Sequence, residues 1–213
     1  MITRDYLNSN DISLLAEWMQ SHLIPNFFDD IEYDNVGFTI TCKYDGNTLL
    51  TISKPNTTGI HTITAYKSVT VSDSITTGTS TVSYACNCEN GALITFGTAS
   101  GLLITKTNQD KVAVVFSTNN SQNRWKYENI KRVAWGDTTL NTGLTFTPIN
   151  SNQVHMVQFT TYCPYGETSF TPYAFWLLES DSRYDIPMKC IINGKQYLSN
   201  GYWAILDVDV QNE

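Results

Sequence analysis

Residues whose chemistry could support catalysis are few in this sequence, and their spacing matches no common catalytic motif. The chain lacks a Gly-x-Ser-x-Gly elbow, a phosphate loop ending in Gly-Lys-Ser/Thr, and a His-Glu-x-x-His motif. Folding could pair the thiol of Cys163 with His155 as its base. Both residues lie in strand-like segments, where burial in the core is the commoner outcome. The sequence therefore predicts no catalytic residue.

Cys86 and Cys88 are the closest pair of potential zinc ligands. One residue separates them, whereas zinc sites usually place about two to four residues between paired cysteines and add a second such pair. We expect two structural thiols on opposite faces of a strand. The pair therefore predicts no zinc site.

A short acidic stretch offers the carboxylate oxygens that Ca²⁺ prefers. Its members are Asp29, Asp30, Glu32 and Asp34. The stretch lacks the glycine and the terminal glutamate of an EF-hand loop. We expect a solvated acidic turn, with no metal and no other cofactor.

Acidic and aromatic residues together raise two carbohydrate hypotheses. A glycoside hydrolase needs two carboxylates facing one cleft, and the candidates are Glu167, Glu179, Asp181 and Asp185. Acids in solvated loops are the simpler interpretation, so we predict that the chain is not an enzyme.

Exposed aromatic rings can instead stack on sugars, and the candidates are Tyr127, Trp135, Tyr165, Tyr173 and Trp203. Aromatic residues of β domains usually pack in the core.

Composition narrows the classes of partner. The 213 residues carry a net charge of −7, and 15% are charged against about 25% in average proteins. Without a basic block, phosphate neutralisation is disfavoured, so we expect no nucleic-acid binding. No apolar run approaches the ~20 residues of a membrane helix, and the N-terminus does not resemble a signal peptide. We expect synthesis in a cytoplasm, with the five cysteines as free thiols.

One segment has helical periodicity. Apolar residues recur at helical spacing from Asp11 to Leu23, Asn10 or Asp11 can cap the start, and Pro25 prevents continuation. An amphipathic helix of this kind usually covers its own core. The alternative is an arm that docks on a neighbouring subunit, and the helix is our first candidate for such a contact.

Most of the remaining chain has the signature of antiparallel strands. Val36–Tyr44 alternates apolar and polar residues, Asp45-Gly46-Asn47 turns the chain, and Thr48–Ser53 returns. Ser74–Ser80 resembles an exposed loop. Further strands are expected at Ala92–Phe96, Leu102–Lys106, Val112–Phe116, Lys131–Trp135, Leu140–Phe146, Gln153–Tyr162 and Pro172–Leu178. Continuous apolarity predicts that Val112–Phe116 is a central strand buried on both sides.

The C-terminal region predicts a three-stranded meander. Asn193-Gly194 and Asn200-Gly201 separate three short apolar runs, and both residue types tolerate the positive φ of a two-residue hairpin turn. We therefore predict a mainly β fold, an antiparallel β-sandwich-like domain with one N-terminal amphipathic helix. We expect a single domain over 1–213, comprising a helix and acidic arm (1–34), main sheets (35–148), and aromatic strands with the meander (149–213).

Three stretches carry a resemblance to known proteins. They are the N-terminal helix leading to Phe27-Phe28-Asp29, the segment Gly101-Leu-Leu-Ile-Thr-Lys-Thr-Asn108, and the end from Ile192 to Asp207. Together they resemble uncharacterised structural proteins from the tail or late-gene modules of phages and prophages of Gram-positive gut bacteria. The resemblance implies an oligomeric virion component made in the host cytoplasm, and it carries over no catalytic residue.

The expected function is therefore that of a phage or prophage virion structural protein, associated with the tail or baseplate. Its expected partners are other virion proteins and copies of itself, joined through strand edges and aromatic surfaces. The alternative is a carbohydrate- or receptor-binding β module, whose partner would be a cell-surface glycan.

Overall fold

The computed structural model describes residues 3–55, 59–97, 100–108, 110–118, 130–131, 139–140, 147–148, 155–162, 169–170, 173–178, 188–192, 194–199 and 203–209. In this part of the chain the fold is mainly β, with antiparallel sheets in a sandwich-like arrangement and one helix near the N-terminus. The predicted fold class is confirmed. Within the same residues, no helix combines the length and the hydropathy needed to span a membrane.

The first two described elements are strand β1 (Thr3–Ser9), which the sequence did not reveal, and the predicted helix α1 (Ile12–Leu23). Asp11 caps the helix, because its carboxylate accepts a hydrogen bond from the amide of Ser13 at 2.9 Å. That hydrogen bond also lowers the pKa of Asp11. The helix ends two residues before Pro25, whose ring cannot continue it.

The apolar side of α1 packs on the chain's own core. Its buried residues are Ile12, Leu15, Ala16, Trp18, Met19 and Leu23. They belong to one core cluster that also contains residues from two sheets. The prediction that the helix covers its own core is confirmed. The apolar side of α1 is therefore already buried. The helix cannot use it to dock on a neighbouring subunit.

Among the described strands, five form an antiparallel sheet in chain order, which we call the first sheet. They are β2 (Asp30–Asp34), β3 (Thr39–Tyr44), β4 (Asn47–Ser53), β5 (Thr62–Ser68) and β6 (Val71–Thr76). At the β3–β4 turn, Asp45 and Gly46 have φ values of 52° and 71°. Positive φ at both central residues is the geometry of a two-residue hairpin. The turn predicted here is therefore confirmed.

A second group of described strands forms the central sheet, in the order β1-β7-β8-β9-β10-β11. Its new strands are β7 (Val82–Cys88), β8 (Gly91–Phe96), β9 (Ser100–Lys106), β10 (Val112–Thr118) and β11 (Ile130–Lys131). Leu102 and Ile104 join the core cluster shared with the first sheet, while Leu103 is buried on the opposite face. Strand β10 lies between β9 and β11, and its first four side chains are all buried. This confirms the predicted central strand.

The remaining described strands form the C-terminal sheet. They are β12 (Thr139–Leu140), β13 (Thr147–Pro148), β14 (His155–Tyr162), β15 (Ser169–Phe170), β16 (Ala174–Leu178), β17 (Met188–Ile192), β18 (Lys195–Ser199) and β19 (Trp203–Asp209). The main order is β12-β14-β16-β19-β18-β17, with β13 and β15 also paired to β14. Strands β17, β18 and β19 pair antiparallel in sequence order, and Gly194 has a φ of 75°. The predicted meander is confirmed.

The C-terminal sheet contacts the face of the central sheet that lies away from the first sheet. The side-chain amide of Asn90 donates to the carbonyl of Leu206 at 2.7 Å, and the backbone amide of Tyr173 donates to the carbonyl of Lys106 at 3.0 Å. Side-chain atoms of Ile205 lie against Gly91. The central sheet is therefore covered on one face by the first sheet and in part, on the other, by the C-terminal sheet.

Three local predictions are wrong. The acidic stretch is not a turn: it forms strand β2, because Ile31 and Tyr33 alternate with the acids and point toward the core. Strand β3 begins only at Thr39, and Val36 lies in the preceding turn, where it is 84% exposed. The loop expected at Ser74–Ser80 starts later, since β6 continues to Thr76 with Ile75 buried.

Candidate functional site

Two buried basic residues, Lys54 and His61, lie where three connections between secondary-structure elements come together. Lys54 and His61 lie at the two ends of the β4–β5 connection. The β1–α1 turn contributes Asn10, and the β6–β7 connection contributes Thr77. We call these four residues the Lys54–His61 cluster. Since a fully buried lysine or histidine is uncommon, the cluster is the first candidate for a functional site.

Lys54 links the β4–β5 connection to the turn before the helix. Its side chain is only 1% exposed, and its ammonium group donates to the carbonyl of Asn10. The side-chain oxygen of Asn10 accepts from the Thr81 hydroxyl at 2.6 Å and from Ser80 at 3.4 Å. Burial lowers the pKa of Lys54, and the charge of Asp11 opposes that shift. Lys54 and Asn10 together tie all three connections to each other.

His61 is fully buried and its ring packs against an aromatic neighbour. The ring centroid lies 5.0 Å from that of Phe96. The backbone of His61 is paired with Thr77, whose hydroxyl accepts from the His61 amide at 3.1 Å. Neither ring nitrogen has a partner in hydrogen-bond geometry, although the Thr79 backbone lies near enough to raise the pKa weakly. Burial and, next, the charge of Lys54 lower the pKa of His61 to about 4.

The cluster's geometry favours a structural role over catalysis. A neutral imidazole could act as a general base only within hydrogen-bond reach of a nucleophile or substrate. The Thr77 hydroxyl donates to the carbonyl of Thr79 at 2.7 Å instead of to the ring. The Ser100 hydroxyl accepts from the amide of Gly78 at 3.4 Å. The described contacts of the cluster therefore build a junction between connections.

His22 belongs to a different contact, which attaches α1 to β1. One carboxylate oxygen of Asp5 accepts from the indole nitrogen of Trp18 at 2.6 Å and lies 3.6 Å from the ring nitrogen Nε2 of His22. The rings of Trp18 and His22 also pack together, 5.1 Å apart. The side chain of Asn87 reaches the carbonyl of His22 at 3.4 Å. This set of contacts orients the helix on the central sheet.

The acids of the stretch from Asp29 to Asp34 act as turn caps and ion-pair partners. Asp34 accepts from the amide of Val36 at 2.9 Å, and Asp29 accepts from the amide of Gly46 at 3.1 Å. Asp30 and Glu32 share Lys43, whose ammonium group lies 3.5 and 2.5 Å from them. The contact with Glu32, followed by that with Asp30, raises the pKa of Lys43. Within the described residues, no group of three or more potential ligands could hold a metal ion.

The expectation that Cys86 and Cys88 lie on opposite faces of a strand is wrong. Residues two apart in a strand share a face, and both thiols are buried in β7 outside the core cluster that includes the first sheet. The sulfur of Cys86 lies 3.5 Å from the carbonyl oxygen of Leu93. The sulfur of Cys88 lies 3.9 Å from the carbonyl oxygen of Leu206. Burial raises the pKa of Cys88 to about 12, which makes its thiol a poor nucleophile.

Most candidate residues of the glycoside hydrolase and sugar-stacking hypotheses lie outside the part of the chain that the structure describes. Cys163, Glu167, Glu179, Asp181 and Asp185 lie outside the described residues, as do the aromatic candidates Tyr127, Trp135 and Tyr165. Only the backbone of His155 and of Trp203 is described, in β14 and β19. Tyr173 is described fully and is 37% exposed.

The structure reveals an aromatic pair that the sequence analysis missed. Tyr6 of β1 and Tyr84 of β7 are direct cross-strand partners, with ring centroids 4.8 Å apart. Tyr6 is 64% exposed, and Tyr84 is half-buried. The only sequence signal was a tyrosine in a polar N-terminal segment, which does not reveal the pairing. This pair is the exposed aromatic surface best defined in the described chain.

Comparison with known proteins adds no assignment. No family model matches the chain, and no curated protein or solved structure is significantly similar to it. Its function must therefore be argued from its own residues.

Proposed function

We propose that this chain is a structural protein of a phage or prophage virion, associated with the tail or baseplate. It acts by assembly, binding copies of itself and other virion proteins, and it performs no reaction. The resemblance of the helix, the β9 segment and the terminal meander to virion proteins motivates the proposal. The observation that carries the assembly part of it is the edge of strand β6 that no other described strand covers, which we call the free edge.

Strand β6 is the last strand of the first sheet. It pairs with β5 on one side, and no described strand pairs with its other side. Its side chains Ser72, Ser74 and Thr76 are exposed, and Ile75 faces the core. The six-residue edge contains no proline or lysine, and Asp73 is its only charged residue, so its protection against pairing with another chain is limited. Such an edge supports assembly by addition of a strand from a neighbouring subunit.

The turn next to this edge adds apolar surface. Val69, between β5 and β6, is 83% exposed. At the opposite end of the sheet, Val36 in the β2–β3 turn is 84% exposed. Single exposed apolar residues are normal on monomeric proteins. A valine at the tip of the hairpin that carries the free edge, however, would extend an interface formed by β6.

A charge on the free edge should weaken self-association. We expect the purified chain to form oligomers at micromolar concentration, and Ser72→Lys to raise the dissociation constant by about tenfold or more, since pairing would have to accommodate a lysine in each copy. Sedimentation equilibrium measures this constant directly.

Ser21→Lys is the matched control, because it makes the same substitution at an exposed position of α1, which packs beside β2 at the other edge of the first sheet. We expect its dissociation constant to equal that of the wild type. A wild-type chain that stays monomeric at about 100 μM, a concentration well above that of typical specific complexes, would contradict self-assembly. Equal weakening by both variants would contradict a role for β6.

Glycan or receptor binding is the second candidate function, and the Tyr6–Tyr84 pair is the observation that favours it. Two adjacent tyrosine rings at a sheet edge offer faces on which an apolar sugar face can stack. This function is compatible with a virion location, since a receptor-binding module can belong to a virion.

Replacing Tyr6 with alanine should abolish glycan binding if this candidate is correct. We expect binding of the wild type to at least one glycan on a bacterial cell-wall array, and a loss of about tenfold or more in affinity for Tyr6→Ala, because one stacking face is removed. Ile191→Ala is the control, since Ile191 is also 64% exposed but lies in β17 of the C-terminal sheet and has no ring that could stack on a sugar. A wild-type chain that binds nothing on the array argues against this candidate.

A further inference from the structure

We propose that His61 is an acid-sensitive latch. While its ring is neutral, the contacts among the β1–α1, β4–β5 and β6–β7 connections are kept, and when the ring is protonated these contacts break. This inference concerns a conformational device and does not depend on the proposed virion function. It rests on the complete burial of the His61 ring, on its unpartnered nitrogens and on the buried lysine beside it.

The surroundings of His61 favour the neutral form of its ring over the protonated form. The ring lies against Phe96, and neither of its nitrogens has a hydrogen-bond partner. A protonated imidazole has two N–H donors. Burying two donors and a positive charge, with only the Thr79 backbone near the ring, costs more free energy than burying the neutral ring with its single donor. Protonation therefore favours any conformation in which the ring reaches water.

The charged groups around the ring add to that penalty. On its own connection, Lys54 repels a charged His61, and among the described residues no other charge acts on the ring. From the helix, Asp11 acts on Lys54 and offsets part of its effect. The β6–β7 connection presents the uncharged Thr77 and Thr79, and β8 presents Phe96. No element packed around the ring supplies a described carboxylate that would stabilise its protonated form.

The pH range of the effect follows from the two protonation equilibria. The pKa of His61 is about 4 in the folded chain and 6.5 as the reference for the unfolded chain. Because the folded value is lower, stability is complete above pH 6.5 and is lost as the pH falls toward 4. This single residue should lower the folding equilibrium constant about 20-fold between pH 7 and pH 5, and about 240-fold between pH 7 and a pH well below 4.

Opening at the junction would first expose the segments that the cluster joins. The β4–β5 connection is held by Lys54 at one end and His61 at the other, and both ends bond to different parts of the chain. The β6–β7 connection is tied to the same place through Thr77 and Thr81. We expect acid to loosen these two connections and the start of α1 before the central sheet opens.

Hydrogen exchange and unfolding of matched variants test the latch. In the wild type, exchange corrected for its intrinsic pH dependence should be faster at pH 5 than at pH 7 in residues 59–61 and 77–81. His61→Leu, which keeps an apolar side chain of similar size, should remove this acid effect. The same variant should remove about 20-fold of the change in folding equilibrium constant between pH 7 and pH 5. His22→Leu should leave the acid effect in place.

If His61→Leu does not fold, titration of the His61 ring in the wild type still tests the latch. The ring resonances of His61, followed by NMR, should stay those of a neutral imidazole down to a pH between about 4 and 5. Lys54→Met should move this titration to higher pH, because it removes the charge that opposes protonation. Titration of His61 near pH 6.5, or an equal acid response in wild type and His61→Leu, would overturn the latch.

Discussion

Replacing Phe28 with alanine is expected to lower the free energy of unfolding by about 3–5 kcal/mol, as for other fully buried phenylalanines. Phe28 follows the helix, has no exposed surface and belongs to the core cluster shared by α1, the first sheet and the central sheet. Truncation would leave a cavity at the place where these three elements meet. Chemical denaturation at neutral pH measures the change.

Leu14→Ala provides the contrast, since Leu14 lies on α1 but is 42% exposed. Its cost should stay below about 1 kcal/mol, because little apolar surface is lost from a packed environment. A Phe28→Ala cost as small as that of Leu14→Ala would mean that the helix and the sheets do not share one core.

Gly91→Ala is expected to destabilise the chain by about 1–3 kcal/mol through overpacking. A Cβ at this position would lie 2.6 Å from the backbone oxygen of Ile104 and 3.0 Å from a methyl group of Ile205. The first contact is with backbone and cannot be relieved by a rotamer change. Because Ile205 belongs to the C-terminal sheet, the clash would also separate that sheet from the central sheet.

Gly37→Ala is the matched substitution at a site with a movable neighbour. Its Cβ would meet the carboxylate of Asp34, an exposed side chain at the end of β2 that can rotate away at the cost of its hydrogen bond from the Val36 amide. We expect a cost below about 1 kcal/mol, measured in the same denaturation experiment. Equal costs at Gly37 and Gly91 would contradict the close approach of the two sheets at Gly91.

The parts of the fold that the sequence predicts are those where local pattern and final environment agree. Each of the strands β8 to β10 contains an apolar run that is buried on both faces, so continuous apolarity was sufficient to locate them; the runs are residues 92–94, 102–104 and 112–115. The meander was visible because Asn-Gly turns require a specific backbone geometry. The helix was visible from its period, its cap at Asp11 and Pro25.

The missed elements depend on pairing with distant strands. Thr3–Ser9 has little apolar alternation, and it is a strand because it pairs with β7. In β2 the alternation of Ile31 and Tyr33 was present, but the acids between them favoured a turn. Those acids occupy the solvent face of the strand, where Lys43 of β3 forms ion pairs with two of them. Residue composition alone does not distinguish a solvated turn from a solvated strand face.

The candidate site was not predictable for the same reason. Lysine is rarely buried, and Lys54 begins a loop-like segment, so nothing in the sequence indicates that its ammonium group reaches Asn10 inside the fold. The pairing of Tyr6 with Tyr84 requires the register of β1 against β7, which periodicity does not supply. Sites of this kind are created by topology.

The most direct test of the central claim is the protein composition of purified phage particles. Particles should be induced from a host that carries this gene and separated on a density gradient, and their proteins should be quantified by mass spectrometry. The proposal predicts that this chain co-purifies with the particles in a fixed ratio to the tail proteins and resists removal by washing with salt. A chain that is abundant in the lysate but absent from the particles would contradict a virion structural role.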